Sequence, residues 1–85
     1  MVYEERIFVM DKKFQIELKA TEDVHDFVNA AEKCDFDVDV FYNRMIIDAK
    51  SILGVLSLDL TKVLTVQFGG QNIEFENVLK KYAAA

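Results

Sequence analysis

The chain contains a single histidine, His25, and three carboxylates lie close to it in sequence: Glu22, Asp23 and Asp26. A neutral imidazole can accept a phosphoryl group or move a proton. The helical pattern that starts near Thr21 places His25 about one turn inside a helix, where backbone amides are bonded to carbonyls and do not reach a phosphate. The pattern therefore favours an exposed histidine on the polar face of a helix over a working group.

A second candidate is Ser51, which directly precedes a short apolar segment. Serine is among the best residues at a helix N-cap, so the sequence predicts that Ser51 starts a helix. Ile52, Leu53 and Leu56 follow it at helical spacing. On a short amphipathic helix some of these side chains pack inward, and a cluster left exposed would form a contact surface.

The other groups of polar residues are weak evidence for a functional site. Asp35, Asp37 and Asp39 alternate along a predicted strand, without the loop geometry or glutamate of a calcium site, so they read as a solvated face. The pair Gly69–Gly70 lies in no phosphate-binding motif. Cys34 is the single cysteine, so it allows neither an internal disulfide nor a multi-cysteine metal site. The sequence predicts no metal site and no cofactor.

Composition limits the classes of function. The 85 residues fit one domain, and 52% of them are hydrophobic, which is typical of a packed globule. The formal charge of -5 has the wrong sign for a nucleic-acid surface. We find neither a signal sequence nor a membrane span, and the lone cysteine fits a reducing compartment, so we expect a cytoplasmic protein.

Hydrophobic periodicity predicts alternating strands and helices. Asp11–Lys13 reads as the turn of an N-terminal hairpin. Helical spacing gives two buried stripes, the first capped by Thr21: Val24, Phe27, Val28 and Ala31, then Phe75, Val78, Leu79 and Tyr82. The predicted strands are Arg6–Met10, Phe14–Leu18, Phe36–Tyr42, Met45–Ala49 and Lys62–Phe68.

This order of elements predicts an α+β sandwich, with an antiparallel sheet and all three helices on one face. We expect one domain over residues 1–85. Residues 1–13 would form an N-terminal extension with an extra strand.

The stretch KSILGVLSL, residues 50–58, resembles the K-S-I-M-G-V-M-S-L signature of HPr, the histidine-containing phosphocarrier of the bacterial sugar phosphotransferase system. The order of elements is similar too, and the resemblance covers roughly residues 14–82. It implies an HPr-like open-faced sandwich with four antiparallel strands and three helices.

The resemblance fails at the position where HPr carries its phosphoryl group, the histidine of G-[IL]-H-A-R-P-A. An ungapped alignment from Ser51 places Ala20 on that histidine, Glu22 on the arginine and Asp23 on the proline. A phosphohistidine at a helix start is stabilised by backbone amides and a nearby cation, whereas two carboxylates would compete for those amides and repel the phosphate. No catalytic residue is therefore assigned, and His25 is a weak alternative acceptor.

The resemblance implies a regulatory role for Ser51. In Gram-positive relatives the matching serine is phosphorylated by HPr kinase/phosphorylase, and the product is the corepressor of a transcriptional regulator. A known variant, the catabolite-repression HPr-like protein Crh, lacks the histidine and keeps the serine, and this chain is similar in outline. It departs at Glu22, which replaces an arginine that helps to read the phosphoserine. Ile52, Leu53 and Leu56 resemble the apolar patch with which HPr docks on its partners.

Our leading hypothesis is a non-catalytic HPr-like module that binds protein partners and is regulated at Ser51. The first alternative is a phosphocarrier that passes phosphoryl groups from the general phosphoenolpyruvate-dependent enzyme to sugar permeases through an atypical acceptor. The second is a homotypic assembly module that uses the extra N-terminal strand as an edge, giving a weak homodimer. None of these hypotheses requires nucleic acid or a membrane.

Overall fold

The computed structural model describes residues 12–84, which form four strands and three helices. In chain order these are β1 (Lys12–Ile16), α1 (Thr21–Glu32), β2 (Val38–Tyr42), β3 (Met45–Asp48), α2 (Ile52–Leu56), β4 (Leu64–Phe68) and α3 (Ile73–Lys81).

The strands form one antiparallel sheet in the order β1-β4-β2-β3. In the central strand β4, Val66 pairs with Phe14 of β1 on one side and with Val40 of β2 on the other. The protein is thus an α+β fold with a four-stranded open sheet and three helices, as the sequence predicts, and it is consistent with an HPr-like open-faced sandwich.

One hydrophobic core joins the helices to one face of the sheet. The first predicted helical stripe is buried in this core: Val24, Phe27, Val28 and Ala31. In the second stripe Phe75 and Leu79 are buried, Tyr82 packs partly against the core, and Val78 is half-buried. Alternate residues of β1, β2 and β4 point toward this core, because successive residues of a strand point to opposite faces. The buried strand residues are Ile16, Val38, Val40, Leu64, Val66 and Phe68.

The N-terminal boundary differs from the prediction. Lys12 and Lys13 were predicted in a turn, and this is wrong, because they pair with Phe68 and Gln67 as the first residues of β1. The strand ends at Ile16, since the next amide, that of Glu17, donates to the carbonyl of Tyr82 instead of continuing the ladder (2.9 Å). The predicted strand Arg6–Met10, with the rest of the N-terminal extension before residue 12, lies outside the described residues.

A tight turn joins β2 to β3 and fixes their register. Asn43 has φ 53°, the left-handed region that asparagine tolerates better than most residues. Tyr42 and Met45 then pair across the hairpin. In residues 12–84, no helix is long and apolar enough to cross a membrane.

Candidate functional site

The first candidate region is the start of α1. Ala20 is its N-cap, with φ −137° and ψ 162°, so the prediction that Thr21 caps this helix is wrong. Thr21 is the first helical residue, and the alanine has no side-chain oxygen to accept from the first turn.

Asp23 supplies the capping contact from inside the helix. Its Oδ2 accepts hydrogen bonds from the amides of Lys19 (2.9 Å) and Ala20 (3.2 Å). This is one half of a capping box, in which the third helical residue reaches back to the N-cap amide. A carboxylate therefore already binds the amides at this position, and a phosphate placed here would have to displace it and overcome its charge.

A shallow depression of about 160 Å³ lies beside this turn, lined by Glu17, Lys19, Asp23, Lys81, Tyr82 and Ala83. Pockets that enclose small organic molecules are usually about 300–1,000 Å³. The depression is too small for that, and two of its lining side chains are carboxylates. The geometry gives the α1 start a structural role.

His25 is exposed, as the helical pattern predicts, and lies one turn after Thr21. Its neighbour Asp26 is engaged elsewhere: Oδ2 accepts from Lys81 Nζ (2.9 Å) and Tyr82 Oη (2.8 Å). These two hydrogen bonds hold the pKa of Asp26 below its usual value, the bond from Lys81 being the larger cause. The contact joins α1 to the end of α3, so Asp26 stabilises the packing of two helices.

Sequence reasoning missed Lys81 and Tyr82 as partners of Asp26. Tyr82 was predicted on the apolar face of α3, and burial is the largest cause that raises its pKa, followed by donation to Asp26. Lys81 and Tyr82 lie 55 and 56 residues after Asp26 in the sequence, so no local pattern could indicate these contacts.

The second candidate region is the start of α2, where Ser51 is the N-cap, as predicted. Ser51 Oγ accepts from the amide of Gly54 (3.2 Å), and the Ser51 carbonyl accepts from the amide of Val55 (3.0 Å). Ser51 is exposed, so a modifying enzyme can approach the hydroxyl without unfolding the core.

Apolar side chains continue this exposed surface along α2. Leu53 is 78% exposed and Leu56 is 40% exposed, while Ile52 is half-buried against the core and Val55 is fully buried. We call Ser51, Leu53 and Leu56 the Ser51 surface. Of the three apolar residues predicted as a docking patch, two are thus solvent-facing, and Ile52 contributes only partly because it packs inward.

Gly54 fixes how closely α2 approaches the sheet. A Cβ at this position would lie 2.7 Å from Ile47 Cγ2 and 3.1 Å from Ser51 Oγ. Only glycine lets the helix lie against β3 at this distance while the serine caps it. The glycine therefore positions the Ser51 surface.

The charged side chains next to Ser51 already make hydrogen bonds with backbone groups. Asp48 Oδ1 accepts from the amide of Lys50 (2.9 Å), and Lys50 Nζ donates to the carbonyl of Cys34 (3.0 Å). Cys34 is buried, and this burial raises the pKa of its thiol. Lys50 is the cation nearest in sequence to a phosphate on Ser51, but it would have to leave that carbonyl to reach it.

The two regions are built on neighbouring helices, since α2 packs against α1 and β3. They differ in chemistry. At the start of α1 a carboxylate accepts hydrogen bonds from backbone amides, whereas the Ser51 surface has an exposed hydroxyl next to two exposed leucines. No family model matches the chain, and no curated protein matches it.

Proposed function

We propose that this protein is a divergent, non-catalytic relative of the HPr phosphocarriers, which binds protein partners through the Ser51 surface and is regulated at Ser51. The observation that carries the proposal is the combination of an exposed N-cap serine with Leu53, 78% exposed, two residues later. Leu53 and Leu56 are both exposed on one short helix, and a cluster of exposed apolar side chains is typical of a contact surface, whereas a single one is ordinary.

The α1 start supports the non-catalytic part of the proposal. Ala20 has no nucleophilic atom, and the Asp23 carboxylate accepts from the amides of Lys19 and Ala20. His25 lies beyond the first turn, away from those amides. A phosphoryl group here would meet negative charge where a carrier needs donors and a cation.

Regulation at Ser51 fits the geometry of the helix start. A phosphate on an N-cap serine lies at the positive end of the helix, so the modification leaves α2 folded while it adds charge beside Leu53. The added charge changes what the Ser51 surface accepts, which is how one site could switch between partners.

Purified HPr kinase/phosphorylase with labelled ATP tests the regulatory part. We expect label on the unmodified chain, none on Ser51→Ala, and unchanged label on Ser57→Ala. Ser57 is the matched control, because it is an exposed serine at the other end of α2, where its Oγ donates to the carbonyl of Gly54 (2.5 Å). Absence of label on a folded unmodified chain, or label that persists on Ser51→Ala, would contradict regulation at Ser51.

The docking part is tested by titrating the same kinase into the labelled chain and following the backbone amides by NMR. Leu53→Glu should weaken binding by about tenfold or more, because it places a charge at the centre of the contact. Ile73→Glu is the control, since Ile73 is 77% exposed but lies at the start of α3. Equal effects of the two substitutions would exclude the Ser51 surface as the docking site.

Incubation with phosphoenolpyruvate and the general enzyme of the phosphotransferase system tests the competing phosphocarrier hypothesis. We expect no acid-labile label. Such a label on the unmodified chain, lost in His25→Ala, would overturn the non-catalytic assignment and leave the docking result intact.

A further inference from the structure

Strand β3 ends the sheet of the described residues, and its outer backbone groups face away from β2. The amide of Ala49 donates to the carbonyl of Val38 (2.9 Å), so Ala49 faces β2. Because backbone groups alternate along an antiparallel strand, Met45 and Ile47 also face β2, and Ile46 and Asp48 face outward. The outward groups form a template for another strand.

The side chains of β3 do little to block such pairing. Natural edge strands are protected by charged side chains, proline, bulges or short length, and of these β3 has its short length and the charge of Asp48. β3 has the sequence Met-Ile-Ile-Asp, with Met45 45% exposed and Ile46 60% exposed. Ile46 pairs with Phe41 and points to the face of the sheet opposite the helices, so it is separate from the Ser51 surface.

Two opposite charges flank Ile46 at equal distance in sequence. Arg44 lies in the turn two residues before it, and Asp48 ends the strand two residues after it; both are exposed. In an antiparallel pair of identical strands related by a two-fold axis, the residue before the centre faces the residue after it. The segment is therefore complementary to itself in charge.

We propose that β3 pairs with β3 of a second copy of this chain, antiparallel and centred on Ile46. The amide of each Ile46 then donates to the Ile46 carbonyl of the other copy. Arg44 of each copy faces Asp48 of the other, and the two sheets form one continuous sheet.

Other registers are unfavourable. A centre on Ile47 would place Asp48 opposite Ile46 and Arg44 opposite Lys50, so no opposite charges would meet. A centre on Asp48 would bring two carboxylates together, and a centre on Arg44 two guanidinium groups, which is destabilising for directly opposed pairs. Only the register centred on Ile46 pairs opposite charges.

The association should be weak, because a four-residue strand buries much less than the roughly 1,200 Å² of stable interfaces. We expect a dissociation constant on the order of 100 µM. A concentration series of the unmodified chain, from about 10 µM to about 1 mM, tests the pairing by sedimentation and by NMR. The amide resonances of Ile46 and Asp48 should shift with concentration, and those of Met45 and Ile47 should shift much less.

Charge reversal tests the register. Arg44→Glu alone and Asp48→Arg alone should each weaken self-association about tenfold, because both place like charges opposite each other. An equimolar mixture of the two variants should associate like the unmodified chain, since the mixed pair restores opposite charges. Lys13→Glu, an exposed lysine of β1 with the same charge change as Arg44→Glu, should have no such effect.

Ile46→Pro tests the backbone contribution without disturbing β2, because it deletes an amide that faces outward. We expect this variant to remain folded and monomeric. The proposal is overturned by a chain that stays monomeric with constant amide shifts at millimolar concentration, by a dimer that persists in Ile46→Pro, or by variants that fail to recover association on mixing.

Discussion

Gly70 lies directly against the ring of Phe36, and a Cβ on Gly70 would overlap that ring. The ring has little freedom to move away, because it stacks on Phe68 with centroids 5.8 Å apart. We predict that Gly70→Ala lowers the free energy of unfolding by about 1–3 kcal/mol, the usual cost of overpacking.

A double-mutant cycle with Phe36→Ala checks this contact. With the ring removed, Gly70→Ala should cost less than about 0.5 kcal/mol in chemical denaturation. Equal costs in both backgrounds would assign the effect to the backbone of Gly70 instead of the contact with Phe36.

Asp26 makes stability depend on acid pH. Lys81 and Tyr82 donate to its carboxylate, so the folded protein holds the pKa below the ordinary value of 3.8. A carboxyl group with a lowered folded pKa adds stability above its unfolded pKa, and this stability is lost as the pH falls through the folded pKa. We predict that Asp26→Asn destabilises the protein at pH 7, and that the difference from the unmodified chain narrows below pH 3.8.

Denaturant titrations at a series of pH values measure that difference. Asp59→Asn is a comparison: the pKa of Asp59 is also lowered, by bonds from Thr61 within one exposed loop, so its difference should narrow over the same pH range. A constant difference between Asp26→Asn and the unmodified chain across the acid range would show that the proton linkage of Asp26 does not contribute.

At the scale of elements, the start of α1 depends on one carboxylate. Asp23 accepts from two amides before the helix, whereas Glu22, also in the first turn, contributes only through the helix dipole. We predict that Asp23→Ala lowers the free energy of unfolding by about 1 kcal/mol and Glu22→Ala by a few tenths. Thermal and urea unfolding followed by circular dichroism compare the pair, and equal losses would mean that capping by Asp23 is unimportant.

The missing side-chain cap at Ala20 gives a stabilising prediction. Its backbone is already extended, as at ordinary N-caps. Ala20→Ser should therefore raise the free energy of unfolding by about 0.5–2 kcal/mol, because serine can accept from the first turn. Thr21→Ser, one residue inside the helix, is the control and should change little. A gain in both variants would point to general helix propensity.

Local patterns predicted the elements well, because periodicity depends on neighbours three and four residues apart. The stripe Val24, Phe27, Val28 and Ala31 is buried in full, and Ser51 caps α2 as its position suggests. The same reasoning also predicted that carboxylates compete for the amides at the α1 start.

Features set by distant partners could not be predicted. The strand Lys12–Ile16 starts two residues earlier than its alternation indicates, because Phe68 pairs with Lys12. The contact of Asp26 with Tyr82 and the division of α2 into buried and exposed residues likewise depend on tertiary packing. The N-cap of α1 differs from the prediction for a local reason instead: Thr21 has the better capping side chain, yet the helix begins one residue earlier than predicted, because Asp23 accepts from the amide of Ala20.

At the scale of the whole molecule, Phe68 joins every layer of the core. It is fully buried, and its ring centroid lies 5.9 Å from that of Phe14, 5.8 Å from that of Phe36 and 5.2 Å from that of Phe75. These contacts connect strand β1, the segment before β2 and helix α3 through one residue of β4. A substitution at Phe68 should therefore destabilise the sheet and the helices together.

We predict that Phe68→Leu lowers the free energy of unfolding by about 1–3 kcal/mol, through lost aromatic contacts and a partly filled cavity. The half-buried Phe14 is the control, and Phe14→Leu should cost less because that ring stacks on Phe68 alone among the described rings. Urea unfolding followed by helix circular dichroism and by tyrosine fluorescence should give coincident transitions at a lower midpoint with an unchanged slope. Transitions that separate in Phe68→Leu would mean that α3 unfolds apart from the sheet, and would contradict a single core organised around Phe68.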